Sequence, residues 1–192
     1  MTLLPPLAEP NDAARLGYQL PAGAEAALLD RASTRIRRAA GQPITRRSST
    51  ARLAVDEHRV KLVAPPVVEV TRVEYIDDTG LPVALTGWRW DGADRLTLPD
   101  RPALLVRLVE VTYTHGFDPI PDELVDLCCA VASRLADTPA GMEAGIRQQS
   151  IDNYSVTYAA EQIATSSGLL PGEEKALASI VPVQRAQMVK CR

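Results

Sequence analysis

The chain has 192 residues, of which 46% are hydrophobic and 23% charged, with a net charge of −3. That balance fits one soluble domain with room for an insertion, and the length suffices to bury a real core. It argues against a dedicated nucleic-acid binder without excluding a local basic patch, and no apolar run approaches the ~18 residues of a membrane span.

The start MTLLPPLAEPND has neither the basic n-region nor the long apolar core of a signal peptide, which predicts a protein made and kept in the cytoplasm. Residues 1–10 read as an extended arm, because Pro5, Pro6 and Pro10 forbid much helix. Asn11 or Asp12 caps a short helix through Leu16, stopped by Gly17. A second helix is predicted from Ala22–Ala24 to Ala40. Leu28, Leu29, Ala32, Ile36 and Ala39 or Ala40 form its buried stripe, and Gly41 supplies a left-handed stop.

The outer face of this helix carries Arg31, Arg35 and Arg38 at i, i+4 and i+7, with Arg37 nearby and Arg46 and Arg47 after the stop. From Arg15 to Arg47 there are seven arginines against Glu25 and Asp30, a local net charge of +5. A solvated helix face accounts for this, and so does a surface for phosphate or an acidic protein, since arginine forks suit both. An acidic protein stands ahead of DNA, because Asp118, Asp122, Glu123 and Asp126 supply such a partner surface from a neighbouring copy.

Residues 48–115 are strand-rich. Arg59–Val63 alternates, Pro65-Pro66 breaks the pattern, and Val68–Ile76 resumes it. Asp77-Asp78-Thr79-Gly80 has hairpin-turn chemistry. Val83–Trp90, a turn at Asp91–Asp94, Arg95–Leu98 and a loop through Pro99–Pro102 lead to the last strand. Four to six short antiparallel strands are predicted, as a small sheet or sandwich-like insertion between helices. Trp88 and Trp90 share a face and read as an aromatic anchor for the sheet core.

From Leu108 to Leu135 the chain is a strand, a proline-rich elbow and an amphipathic helix. Val109, Val111 and Tyr113 alternate with Glu110, Thr112 and Thr114, until His115-Gly116-Phe117-Asp118 ends the pattern. Pro119 and Pro121 precede a helix whose dipole favours Asp122 and Glu123 at its start, and Leu124, Cys128, Val131 and Leu135 recur at helical spacing. Thr138–Gly141 is a break and Gly145–Ser150 a polar loop. Tyr154, Val156 and Tyr158 alternate as a strand or extended arm. Pro171, Glu173 and Glu174 open a helix through Ile180 that Pro182 ends. Segments 1–10 and 181–192 hold too little apolar content to order without a surface to dock on.

No residue set carries catalysis. His58 and His115, the two histidines, lack a recognisable nucleophile context. There is no CxxC, HxxxH or HExxH ligand pattern and no glycine-rich phosphate loop. The expectation is therefore no enzyme, no metal and no cofactor. Cys128, Cys129 and Cys191 do not make a disulfide framework. Adjacent helical positions point about 100° apart, and an odd count leaves one unpaired; reduced, packed thiols are expected.

Three segments carry a resemblance in their order. They are ALLDRASTRIRRAAGQ (Ala27 to Gln42), VTYTHGFD with its proline-led acidic helix start, and NYSVTYA (Asn153 to Ala159) ahead of PGEEKALASI. In this the chain resembles the head–tail connector (adaptor) proteins of long-tailed bacteriophages. The resemblance implies a homo-oligomeric ring, commonly of twelve subunits, docked under the portal in the virion neck and extending the DNA channel toward the tail. Partners would be the portal, a stopper or other neck or tail protein, and the packaged DNA in the lumen, after assembly in the host cytoplasm. The expected class is α+β, a small helical-bundle core with an inserted antiparallel β-rich region and extended terminal arms. Residues 1–138 would form the connector core, with helices at about 11–41 and 118–137 as the ring wall. Residues 139–192 would form the C-terminal arm, with Val183, Arg185, Met188, Val189 and Lys190 as portal-docking candidates. The β-region is longer than in the smallest members. Alternatives are a stopper or tail-completion protein, and a DNA-binding accessory protein using Arg31, Arg35, Arg38, Arg46 and Arg47.

Overall fold

The computed structural model describes residues 4–77, 80–99, 108–137 and 168–181, and the backbone of 148–151 and 154–157. The architecture is α+β. Two compact units divide the chain: Met1–Gln42 together with Pro119–Arg192, and Pro43–Asp118.

The first unit is helical. Its elements are α1 (Pro10–Arg15), α2 (Glu25–Ala40), α3 (Asp122–Asp137) and α4 (Pro171–Ile180). α2 and α3 form the main helix pair, α1 packs on both, and α4 packs on both. The stripe read from the sequence is buried as Leu28, Leu29, Ala32, Ile36 and Ala40 on α2. Leu124, Cys128, Val131 and Leu135 answer it on α3. Gly41 closes α2 in the left-handed conformation (φ 67°), its N–H on the Arg37 carbonyl at 2.9 Å; only glycine adopts that geometry without penalty. Among the described residues no helix is long and apolar enough to cross a membrane.

One expectation is corrected here. Residues 4–9 form neither helix nor strand, and the chain's own helices supply their docking surface. Leu7 and Ala8 are buried, and the Leu7 N–H donates to Ser33 Oγ at 2.8 Å. Arg37 donates to the Pro5 carbonyl. Ser33 is absent from the predicted stripe because it is polar, yet it is fully buried and satisfied, donating in turn to the Leu29 carbonyl at 2.7 Å.

The second unit is a curled seven-stranded antiparallel sheet. Its strands are β1 (Arg47–Asp56), β2 (Arg59–Lys61), β3 (Val67–Ile76), β4 (Pro82–Ala84), β5 (Arg89–Trp90), β6 (Arg95–Thr97) and β7 (Leu108–His115), in the order β4-β3-β7-β1-β2-β6-β5. β1 serves two partners, pairing β7 through Arg47–Ala54 and β2 through Val55 and Asp56. Val111 on β7 lies between Ala51 and Val73. The core gathers Val60, Leu62, Val73, Leu96, Val109, Val111 and Tyr113, with Trp88 and Trp90 packed against its side, in keeping with the aromatic anchor expected there.

Three details depart from the sequence pattern. β1 is not among the named strands, which begin at Arg59. Leu53 is its one buried residue, so the hydrophobic signal of a strand is nearly missing. β3 does not keep a period of two; register shifts at Val67/Glu69 and Val70/Arg72 reset its phase. Val67, Val70 and Val73 therefore turn inward while Val68 is 41% exposed, as bulges require. Finally, Gly145–Ser150 is not all loop, because β8 (Gln148–Ile151) pairs antiparallel with β9 (Tyr154–Thr157).

Candidate functional site

The five predicted basic residues are carried by two different units. On α2, Arg31 and Arg38 are exposed. Arg35 instead turns to the main chain and donates to the Gly168 carbonyl at 3.1 Å. Its neighbour Arg37 holds Pro5 in the same way, and burial lowers its guanidinium pKa. In the β unit, Arg46 faces Asp118 at 3.6 Å, both largely in solvent, where such a pair contributes little. Arg47 sits opposite His115 in the β1–β7 register.

The predicted acidic residues are likewise placed within the chain. Asp122 lies 3.5 Å from Arg15. Asp126 accepts a hydrogen bond from the Tyr18 hydroxyl at 3.0 Å; desolvation and this bond together raise the Tyr18 pKa. Glu123 is exposed. Val183, Arg185, Met188, Val189 and Lys190 lie outside the described residues.

A cluster that sequence reasoning missed joins α2, α3 and the segment 168–181. Arg134 on α3 meets Glu173 on α4 with both ends of its fork, Nε to Oε1 and Nη2 to Oε2, each at 2.9 Å. Arg134 also reaches the Gly168 carbonyl at 3.2 Å, so two guanidiniums converge on one oxygen. Glu173 Oε2 accepts the Leu170 N–H at 2.7 Å, closing the first turn of α4. Gly168 sits at φ +84°, where a Cβ would come within 3.2 Å of the Arg35 side chain. Bidentate, partly buried pairs of this kind are the strong ones. The available signal is Glu173 at the third helical position behind Pro171, which by itself reads only as a dipole effect.

His115 is 3% exposed at the end of β7. Its Nε2 lies 2.9 Å from Ser49 Oγ on β1, and its ring stacks obliquely on Tyr113 at 5.4 Å. Burial and then Arg47 push its pKa down. The spacing matches a nucleophile–base pair, but the Nδ1 atom has no partner among the described residues. Among those residues no carboxylate orients the ring as such chemistry requires; the pair instead ties β1 to β7. Cys128 and Cys129 are buried free thiols. Burial raises both, Cys129 to about 11. Among the described residues no group of three or more potential ligands is arranged to hold a metal.

What these features define is a two-unit α+β chain whose polar specificity is spent on holding its own segments together. No protein-family model matches the chain and no curated protein matches it. Solved structures do. One is a chain in the neck of the native GTA particle computed with C12 symmetry, at 21% identity and a TM-score of 0.55, covering 98% of this chain and 96% of that one. Another is in the neck of the empty GTA particle computed with C6 symmetry, at 22% identity and a TM-score of 0.53, covering 74% of this chain and 86% of that one. The fold is shared with both.

Proposed function

We propose that the protein is a structural neck component of a phage-like particle, a head–tail connector that assembles as a ring of identical copies beneath the portal. The observation that carries this reading is a likeness over 98% of the chain to a neck protein, which spans the helical unit and the inserted sheet alike. The order of sequence motifs points to the same class independently. In this reading the helical unit builds the ring wall. Residues 182–192, basic and bearing Val183, Arg185, Met188, Val189 and Lys190, reach toward the portal. Packaged DNA passes through the lumen, and the next neck or tail protein docks on the far side. The work is assembly, with no catalysis, metal or cofactor.

Native mass spectrometry of the protein alone and mixed with the portal protein tests this. Conversion to a closed ring, unaided or on the portal, supports it. A monomer indifferent to the portal overturns the connector role. A DNA-binding role predicts instead that affinity for a short duplex falls steeply with salt, the slope counting the phosphates engaged. Of the arginines that alternative would use, Arg35 weighs against it, since it already grips a main-chain carbonyl.

A further inference from the structure

Residues 168–181 behave as a strap. Leu169, Leu177 and Val181 are fully buried, and α4 packs on α2 and α3. The socket recognises the strap by specific chemistry as well as by apolar contact. Arg35 and Arg134 take the Gly168 carbonyl, Arg134 takes Glu173, and Glu173 takes the Leu170 N–H. Gly168 is favoured by its positive φ, and an added Cβ would lie 3.2 Å from the Arg35 side chain, which would have to give by a few tenths of an ångström. Each of these contacts lies within residues 168–181 and the α2–α3 pair.

That lead-in is long. α3 ends at Asp137 and the strap begins at Gly168, so thirty residues separate socket from strap. Thirty residues span at most about 100 Å when fully extended. A small domain is about 30 Å across. The connection is therefore long enough for the strap of one copy to be offered to the socket of a copy beside it, where the same side chains would present the same contacts.

We propose that in the assembled ring the strap is exchanged, α4 of each copy seating in the α2–α3 socket of its neighbour and locked there by Arg134 and Glu173. This rests on the ring reading above. In a closed ring every socket is filled once whether straps stay home or move on by one place, so exchange links neighbours with no new contact chemistry. A ten-residue helix is marginal on its own, which leaves docking, at home or next door, as the state that orders it.

Opposite charge reversals decide between the two arrangements. Arg134→Glu spoils the socket, and Glu173→Arg spoils the strap. Each variant alone is expected to lose about tenfold or more of its ring yield, with hydrogen exchange rising across 169–181. Mixed in equal parts, the two recover rings in which they alternate, because each charge-reversed socket then meets a charge-reversed strap and each native socket a native strap. The cis double variant recovers rings in either arrangement. Recovery by the double variant without recovery by the mixture overturns the exchange while leaving the ring reading intact. A wild-type protein that never forms rings overturns both. On unaltered protein, rings grown from equal parts of 15N-labelled and unlabelled copies give a second readout. Carbodiimide cross-links from Lys175 to carboxylates of α2 and α3 should join labelled to unlabelled peptide in about half of cases if straps are exchanged. If every such link stays within one isotope, exchange is refuted.

Discussion

Gly116 is the position where one added methyl group should do the most damage to the β unit. It sits at φ +91°, and a Cβ there would lie 2.6 Å from both the Ile44 and Thr45 carbonyl oxygens and 2.7 Å from the Thr45 carbonyl carbon. These are backbone atoms that cannot swing aside. Gly116 donates to the Pro66 carbonyl at 2.8 Å, Phe117 to Ile44 at 2.8 Å, and Arg46 to Phe117 at 2.9 Å, so the two passing segments are fixed by each other. The left-handed conformation costs a residue with a Cβ about 1–2 kcal/mol, and overpacking against a rigid wall adds about 1–3. Gly116→Ala should therefore cost about 2–5 kcal/mol, a large part of the ~5–15 that holds a domain together. With an m-value of about 2 kcal/mol/M, the urea midpoint falls by roughly 1–2.5 M. Trp88 and Trp90 are the only tryptophans and both lie in the β unit, so their emission reports that unit directly. Gly92→Ala is the control. Gly92 has φ +83° but nothing within 4 Å of a built Cβ, and should show only the conformational part. Equal midpoint losses for the two variants would refute the crowding argument.

The buried His115 makes the β unit sensitive to acid. Its folded pKa lies below the ordinary value of 6.5, from burial first and Arg47 second, with no carboxylate among its described contacts to offset either. The unfolded chain thus takes up the proton first. Stability is full above about pH 6.5 and is lost as pH falls through the folded pKa, and His115→Gln should flatten that slope in tryptophan-monitored urea melts. Ser33→Ala leaves the Leu7 N–H buried without an acceptor, which should cost about 1–3 kcal/mol. Hydrogen exchange should quicken over residues 7–9 well before the rest of the helical unit; unchanged exchange there would contradict the docking of the arm. In a Cys191→Ser background, Cys128 and Cys129 should resist a thiol-specific disulfide reagent at pH 8 until urea unfolds the protein. Both are buried, with Cys129 pushed up to about 11, so reaction at the rate of free thiols in the native state would count against that burial.

What could be read from the sequence followed signal strength and locality. α2 and α3 announced themselves because their apolar residues recur at 3.6 and their ends carry glycine and acidic signals. β7 was legible because one face is buried along its whole length, in strict alternation. β1 failed the same test because, although it lies in the middle of the sheet, only Leu53 is buried, which leaves no hydrophobic period to find. β3 misled in phase because a bulge is a property of the pairing, not of either strand by itself. The Arg134–Glu173–Gly168 cluster was invisible for a further reason. Arg35 and Gly168 are 133 positions apart, and nothing local distinguishes an arginine that will grip a carbonyl from one that will meet water.

A concentration of arginine in this chain does not by itself mark a phosphate site. A run with a net charge of +5 invites a search for phosphate, and an exposed helix face is the natural place to look. Here α2 uses two of its arginines for an inward task. Arg37 grips Pro5 in the N-terminal arm and Arg35 grips Gly168 at the head of the strap. An arginine fork suits this work because it offers several donors in a fixed plane and stays charged when half buried. One helix thereby fastens the N-terminal arm and the strap, and the sheet is inserted in the chain between α2 and α3, the two helices that do the holding. If the strap is exchanged as proposed above, the residues that move, 168–181, belong to the helical unit, while both tryptophans belong to the β unit. Tryptophan emission in the charge-reversal mixture should therefore match that of the unaltered protein, and a shifted emission would show that the β unit responds to the strap.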